Sequence, residues 1–258
     1  MTELKSTVNL FNGIEIDTDS LPGSSGEFQT ALATSLDRWS DNGNVLAWLN
    51  LPIEKADFVP IAVDSGFIYH HSGEGYLQLV RTLTPDAYVP SYATHYIGAG
   101  GVVINEKNEL LVVVERYRRD RSRPYYKLPG GALHPSEHIA DAVVRKIYEE
   151  TGVYTEFEAV VCFRHWHGYR YDKSDIYFVC RLNPTSHEIT IHDGEIDEAL
   201  WMPVDEYLTS EYVGEFNREI VRSAVQSPGL QHRNVDGYSG GRPREMLFPP
   251  ATQRETNV

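Results

Sequence analysis

Apolar and polar positions change period several times along the chain, and each change marks an element. From Phe28 the apolar residues recur at Leu32, Leu36 and Trp39, the four- and three-residue steps of one helical face, and Asp41-Asn42-Gly43 supplies the stop. A short apolar run from Val8 to Ile16 and the loop DTDSLPGSSG precede this helix. After it, NVLAWLNL reads as a buried strand, KADFVPIAVDSG as a short helix closed by Gly66, and YLQLVRTL as a further strand, which together make an α/β unit. Pro85 and Pro90 bracket a turn-rich connection, beyond which GAGGVVI and ELLVVVE flank the polar turn Asn105 to Asn108 as a hairpin. A basic loop from Arg116 to Arg123, a tight LPGG turn and a helix from about Ser136 to Thr151 follow, then strands around Glu158 to Arg164 and Asp175 to Leu182. Helical patterns over Val204 to Leu208 and Gly214 to Gln226 come last. No internal repeat is present. These changes divide the chain into residues 1–90, residues 91–229 and a tail, 230–258, whose glycine, proline and charge predict either poor order or docking.

Charge narrows the function. Among 258 residues, 23 basic side chains face 37 acidic ones, for a net charge of −14. Such a surface repels phosphate backbones and anionic headgroups, so neither nucleic acid nor membrane is expected as the main partner. A small anionic ligand needs local positive clusters. No stretch approaches the ~18 apolar residues of a membrane span, and MTELKSTVNL lacks the basic start and apolar run of a signal peptide, so a cytoplasmic location is expected. Cys162 and Cys180 sit in apolar runs without a C-x-x-C pair and read as packing residues.

The most informative stretch is LPGGALHPSEHIADAVVRKIYEETGV, Leu128 to Val153. Pro135 and Ser136 read as helix starters and Gly152 as the stop. On a helical wheel Ala140, Val143, Val144 and Ile147 share one arc and pack on a sheet, whereas Lys146, Glu149 and Glu150 share a neighbouring arc. Adjacent carboxylates repel unless a cation compensates them, and hard oxygen ligands on a rigid face suit Mg²⁺ or Mn²⁺. Gly130 and Gly131 allow close backbone approach, and Gly131 could present a carbonyl as a further ligand. The plainer alternative is a solvated acidic helix end.

These residues resemble the Nudix box, in which a glycine, five residues, a glutamate and seven residues precede R-E-U-x-E-E-x-G-U, with U apolar. Gly131, Glu137, Arg145, Ile147, Glu149, Glu150, Gly152 and Val153 stand at those spacings. The resemblance implies the Nudix fold, an α/β/α sandwich around a mixed sheet, and metal-dependent hydrolysis of a nucleoside diphosphate linked to another moiety. It also implies that Glu149 and Glu150 hold the metal on the pyrophosphate while Arg145 orients glutamates. One position departs from the box: Lys146 replaces the glutamate after the arginine, so that a group of three carboxylates and one ammonium remains. A cation beside the same oxygens competes with the metal. Two readings follow: Lys146 contacts substrate phosphate in place of one metal ion, or hydrolysis is lost and the fold binds a nucleotide, a phosphate ligand or a protein partner without turnover.

Beyond the box, SLDRW, WLNLPI, VDSGFIYHH, YLQLV, ATHYIGAGGVVIN, KSDIYFVCRL and EIDEALWMPVDEY are similar to the subgroup that includes plant ADP-ribose and NADH pyrophosphatases and the animal antisense basic fibroblast growth factor product. That likeness covers about residues 7 to 227. It implies a small acetyltransferase-like α/β pre-Nudix domain at the N-terminus, a substrate of the ADP-ribose or NADH kind, and a homodimer. No glycine-rich acyl-CoA loop is present, so acetyl transfer is not expected. Glu195, in the acidic segment before Trp201, matches the subgroup and is the expected base for water, the alternative being a solvated loop. Two positive clusters are candidates for substrate: Arg116 and Arg118 in RYRRDRSR, and Arg164, Trp166 and His167 in FRHWHGYRYDK. A solvated loop and aromatic core packing are their respective alternatives.

Overall fold

The computed structural model describes residues 3–191, 194–238 and 244–251. Two units, Met1–Thr94 and His95–Val258, make up the chain. In the first, strands β1 (Ser6–Val8) and β2 (Gly13–Ile16) form a hairpin, followed by helix α1 (Ser25–Asp41) and strand β3 (Leu46–Pro52). A 3-10 segment then leads into α2 (Val59–Asp64), and the antiparallel strands β4 (Ile68–Gly73) and β5 (Tyr76–Thr82) close the unit. The sheet order is β1-β2-β3-β5-β4, with β2 and β3 parallel. Alternation in β3 sends Ala47, Leu49 and Leu51 into a core with Phe28, Leu32, Leu36 and Trp39 of α1 and leaves Trp48 and Asn50 on the opposite face. Ser24 caps α1: its hydroxyl accepts from the Glu27 N–H and donates to the Glu27 carboxylate.

The run Val8 to Ile16 falls within this hairpin, with Leu10 and Phe11 at its exposed tip and Asn12 at φ 58°. Residues 68–73, which lack clean alternation, also pair as a strand.

The second unit opens with β6 (His95–Val103), β7 (Glu109–Glu115), β8 (Tyr126–Lys127) and β9 (Gly130–Ala132). Helix α3 (Ile139–Thr151), β10 (Thr155–Trp166), β11 (Ser174–Pro184) and β12 (Ile196–Pro203) come next. Helices α4 (Val204–Thr209) and α5 (Glu215–Gln226) and the short pair β13 (Gln231–His232) and β14 (Leu247–Phe248) end the described chain. One mixed sheet runs β10-β11-β6-β9, with β11 and β6 parallel, and an antiparallel sheet runs β12-β7-β8. Successive residues of β6 serve different cores: Val102 packs with Ile220, Val221 and Ala224 of α5, and Val103 with Val143 and Ile147 of α3. The result is the expected α/β/α sandwich. Cys180 is fully buried in the α3 core and Cys162 packs against the α5 core, both as free thiols.

Two sequence expectations are corrected here. GAGGVVI and ELLVVVE meet at the bridge Ile104–Leu110 and through hydrogen bonds between Asn105 and Glu109, then part into different sheets. Both edges of β6 are already taken, by β11 and β9, so β7 pairs elsewhere. Helix α3 begins at Ile139 rather than Ser136, which instead adopts a left-handed φ of 65°. The reason lies in the tail: the Glu245 carboxylate accepts the Ile139 and Ala140 N–H groups at 2.9 Å each, so the cap comes from a distant residue. The described part of the tail is thus docked, through Glu245 and through Leu247 in the α3 core. Among the described residues no helix is long and apolar enough to cross a membrane.

Candidate active site

Helix α3 packs Val143 and Ile147 inward, which turns its last two turns so that Arg145, Lys146, Glu149 and Glu150 flank the core along β9. Gly152, at φ 72°, ends the helix in the left-handed conformation that favours glycine. Arg145 is the brace. Its Nε and Nη2 donate to the two Glu137 oxygens at 2.7 Å each, and its Nη1 reaches both Glu149 oxygens at 3.1 and 3.0 Å. The Glu137 carboxylate, held by these bonds and by the His134 N–H, has its pKa lowered to about 2 despite partial burial. Burial raises the Glu149 pKa, but hydrogen bonds and charge from Arg145 and Lys146 outweigh it and the net shift is downward.

Glu150 is buried, and its Oε2 accepts the Gly130 N–H at 3.1 Å. Lys146 lies between the two metal-ligand candidates, with Nζ 3.3 Å from Glu149 Oε2 and 3.4 Å from Glu150 Oε1. Burial disfavours its charge, yet the two carboxylates more than offset that and raise its pKa. The side chain crosses β9 because position 131 is glycine: a Cβ there would stand 2.7 Å from Lys146 Cε. The Gly131 carbonyl oxygen lies against β6, 3.2 Å from the place a Gly98 Cβ would take.

The donor set fits a hard divalent cation in kind, since two carboxylates stand on one rigid face. Among the described residues no group of three or more Asp, Glu, His or Cys side chains is arranged to hold a metal. A metal at Glu149 and Glu150 would therefore draw its remaining ligands from backbone carbonyls, substrate and water, the habit of Mg²⁺, and would share these oxygens with Lys146.

The other sequence candidates divide into two groups. Arg116 and Arg118 converge on Asp197, at 3.2 and 2.7 Å, and hold its carboxyl below the usual range. The Arg116 N–H donates to the Glu195 carbonyl at 2.7 Å, so the basic loop is joined to the segment carrying the candidate base. The Glu195 residue itself is exposed. On β10, Arg164 pairs with buried Asp175 at 2.6 Å and lies over the rings of Trp166 and Tyr177 at 5.2 and 5.5 Å. His167 Nδ1 is 2.8 Å from Ser174 Oγ.

Tyr177, which sequence reasoning did not single out, packs beside this cluster. Its hydroxyl occupies space above Gly100 and Gly130, where a Cβ would come within 2.3 and 2.5 Å, and Gly130 is the residue that donates to Glu150. Burial, with the nearby Glu150 charge, pushes its phenol far above the usual value and keeps it neutral. Its sequence trace is limited to the glycines at 98, 100 and 130; their position opposite Tyr177 comes from the fold.

A mixed sheet between helices, with Glu149 braced by Arg145 and Glu150 by the Gly130 N–H at the end of α3, defines a Nudix-type hydrolase. The chain belongs to the Nudix family: the Nudix hydrolase domain model matches residues 4–83 and the NUDIX domain model residues 94–224. It is 40% identical over 248 residues to Nudix hydrolase 8 of Arabidopsis thaliana, spanning 92% of this chain and 67% of that one. Nudix hydrolase 2 of the same plant is 39% identical, over 76% of this chain and 70% of its own. Nucleoside diphosphate-linked moiety X motif 6 of Homo sapiens is 30% identical, over 85% and 72%. Members of this family hydrolyse nucleoside diphosphate derivatives and generally use divalent metal ions.

Proposed function

We propose that this protein hydrolyses the pyrophosphate bond of a nucleoside diphosphate derivative of the ADP-ribose or NADH kind, with Mg²⁺ or Mn²⁺ held by Glu149 and Glu150. The observation that carries this reading is the fixed pair of carboxylates, one braced by Arg145 and the other by the Gly130 N–H, sharing a single ammonium. Glu149 and Glu150 would hold such an ion, which would supply charge neutralisation on the pyrophosphate oxygens and so favour attack at phosphorus. Arg145 orients Glu137 and Glu149 and holds them ionised. Gly131 lends either a carbonyl ligand or, through its missing side chain, room for Lys146. Lys146 swings its ammonium from the carboxylates to a phosphate oxygen when substrate and metal arrive, balancing the charge that the pattern's usual glutamate would have met with metal. Glu195 takes the proton of the attacking water as its oxygen bonds to phosphorus, and the bridging oxygen leaves with the electron pair of the broken P–O bond. Arg116 and Arg118 grip phosphate in exchange for Asp197, and Arg164, Trp166 and His167 receive the nucleoside end by stacking and hydrogen bonding. A homodimer and a cytoplasmic location belong to the same proposal, the first checked by sedimentation and the second by imaging of a tagged chain.

One observation favours a second reading. Lys146 already ties both carboxylates, so a chain in which metal never displaces it binds a nucleotide, a phosphate ligand or a protein partner without turnover. The test is a panel of nucleoside diphosphate compounds with Mg²⁺ and with Mn²⁺, read by product release, beside Glu150→Gln and Lys146→Glu. Turnover in the parent that Glu150→Gln abolishes supports the hydrolase. A silent parent that Lys146→Glu awakens identifies the binder.

A further inference from the structure

The first unit holds a cavity of about 990 Å³ on the face of its sheet opposite α1, within the size range of small-molecule sites. Trp48 on β3 and Glu15 on β2 form its floor, and His71 on β4 stands at one side. The tip of the β1–β2 hairpin supplies Phe11 to one rim, and the Pro85 to Pro90 connection supplies Asp86 and Tyr88 to the other. Phe11 is 83% exposed and Tyr88 80% exposed, so two rings stand at the mouth of an apolar space without covering it.

The charges around this space have one sign. Glu15 and Asp86 are carboxylates, and no lysine or arginine is among the lining residues, all of which lie in the described part of the chain. His71 adds no compensating charge, because burial and the neighbouring His70 lower its pKa and favour the neutral ring. A phosphate or carboxylate ligand would meet uncompensated repulsion here. Within the floor, Asn50 Nδ2 donates to Gln78 Oε1 at 3.1 Å and Asn9 Nδ2 to Glu15 Oε1 at 3.2 Å. A primary ammonium is strongly hydrated, so entering a space walled by aromatic rings costs it more solvation than it costs a cation without N–H groups. A cation without N–H donors loses little hydration and gains from both aromatic faces and distant carboxylates.

We propose that the first unit binds a small quaternary-nitrogen organic cation in the cavity between Trp48, Phe11 and Tyr88, with Glu15 and Asp86 as its counter-charges. The site is separate from the Arg145 cluster in residues and in chemistry, and it gives the pre-Nudix part of the chain a ligand of its own. The test is calorimetric titration of the full chain, with tryptophan fluorescence as a second readout, using 1-methylnicotinamide as cation, nicotinamide as neutral isostere and nicotinate as anion. The expected result is saturable binding of the cation, at least about tenfold weaker binding of the neutral ring, and none of the anion. Asp86→Asn and Tyr88→Ala, both at exposed rim positions whose loss leaves the core untouched, should each weaken the cation about three- to tenfold. Glu150→Gln should leave it unchanged. Equal binding of cation and neutral ring, indifference to both rim variants, loss of binding in Glu150→Gln, or no binding at millimolar cation would each overturn the proposal.

Discussion

Two places in this chain gather carboxylates, and they handle the charge in opposite ways. Along α3, Glu137, Glu149 and Glu150 are tied by Arg145, Lys146 and backbone N–H groups. In the first unit, Glu15 and Asp86 border an aromatic-walled cavity with no lysine or arginine in its lining. The former is a rigid site whose cation is built into the sequence, so a metal entering it would compete with a resident. The latter is open, and an incoming cation meets no rival. The contrast teaches that acidic residues alone do not define a metal site. What neutralises them decides whether they await a metal ion, a substrate or an organic cation.

Four changes sharpen that contrast. The largest effect falls on Glu150→Gln, which removes charge from the buried carboxylate while keeping its shape: kcat should fall on the order of a hundredfold or more, with the fold intact by circular dichroism. A variant that keeps full turnover would remove Glu150 from the mechanism. Next comes Arg145→Ala, which strands the Glu137 carboxylate, itself only 13% exposed. A loss of about 2 kcal/mol in unfolding free energy is expected, below the fully buried case because Arg145 retains 23% exposure. The pH signature follows from the direction of the shift. With its folded value lowered from 4.5 to about 2, Glu137 contributes stability that is complete above 4.5 and lost as pH falls toward about 2. Melting curves across that window should slope less steeply for Arg145→Ala than for the parent.

Lys146→Glu ranks third. Replacing the ammonium by a third ligand should raise Mn²⁺ affinity about tenfold or more, read by calorimetry, and an unchanged affinity would mean that the lysine does not compete. The smallest effect belongs to Glu245→Ala. Uncapping Ile139 and Ala140 should cost about 1 kcal/mol, measured by denaturant titration, with turnover little altered.

Some of this architecture was legible along the chain. The period of Phe28, Leu32, Leu36 and Trp39 located α1 to within a few residues, because an amphipathic helix writes its buried face into sequence. Gly152 likewise marked the end of α3. The start of α3 was misplaced because its cap stands 106 residues away, at Glu245, and no local signal announces a cap of that kind. The parting of β6 from β7 was invisible for a related reason: apolar runs on either side of a turn look alike whether they pair with each other or with β11 and β12.

Residue types and spacings alone determined that Arg145, Lys146, Glu149 and Glu150 share a helical face, since helix geometry sets that by itself. They also determined the family. Only the tertiary structure decided that Lys146 reaches both glutamates across Gly131, that Arg116 and Arg118 answer to Asp197, and that Tyr177 fills the space over Gly100 and Gly130. The Lys146 contacts are local along the helix but need the distant Gly131 to leave room, and the other two are meetings of residues far apart in the chain, which depend on how sheets and helices pack rather than on any local preference.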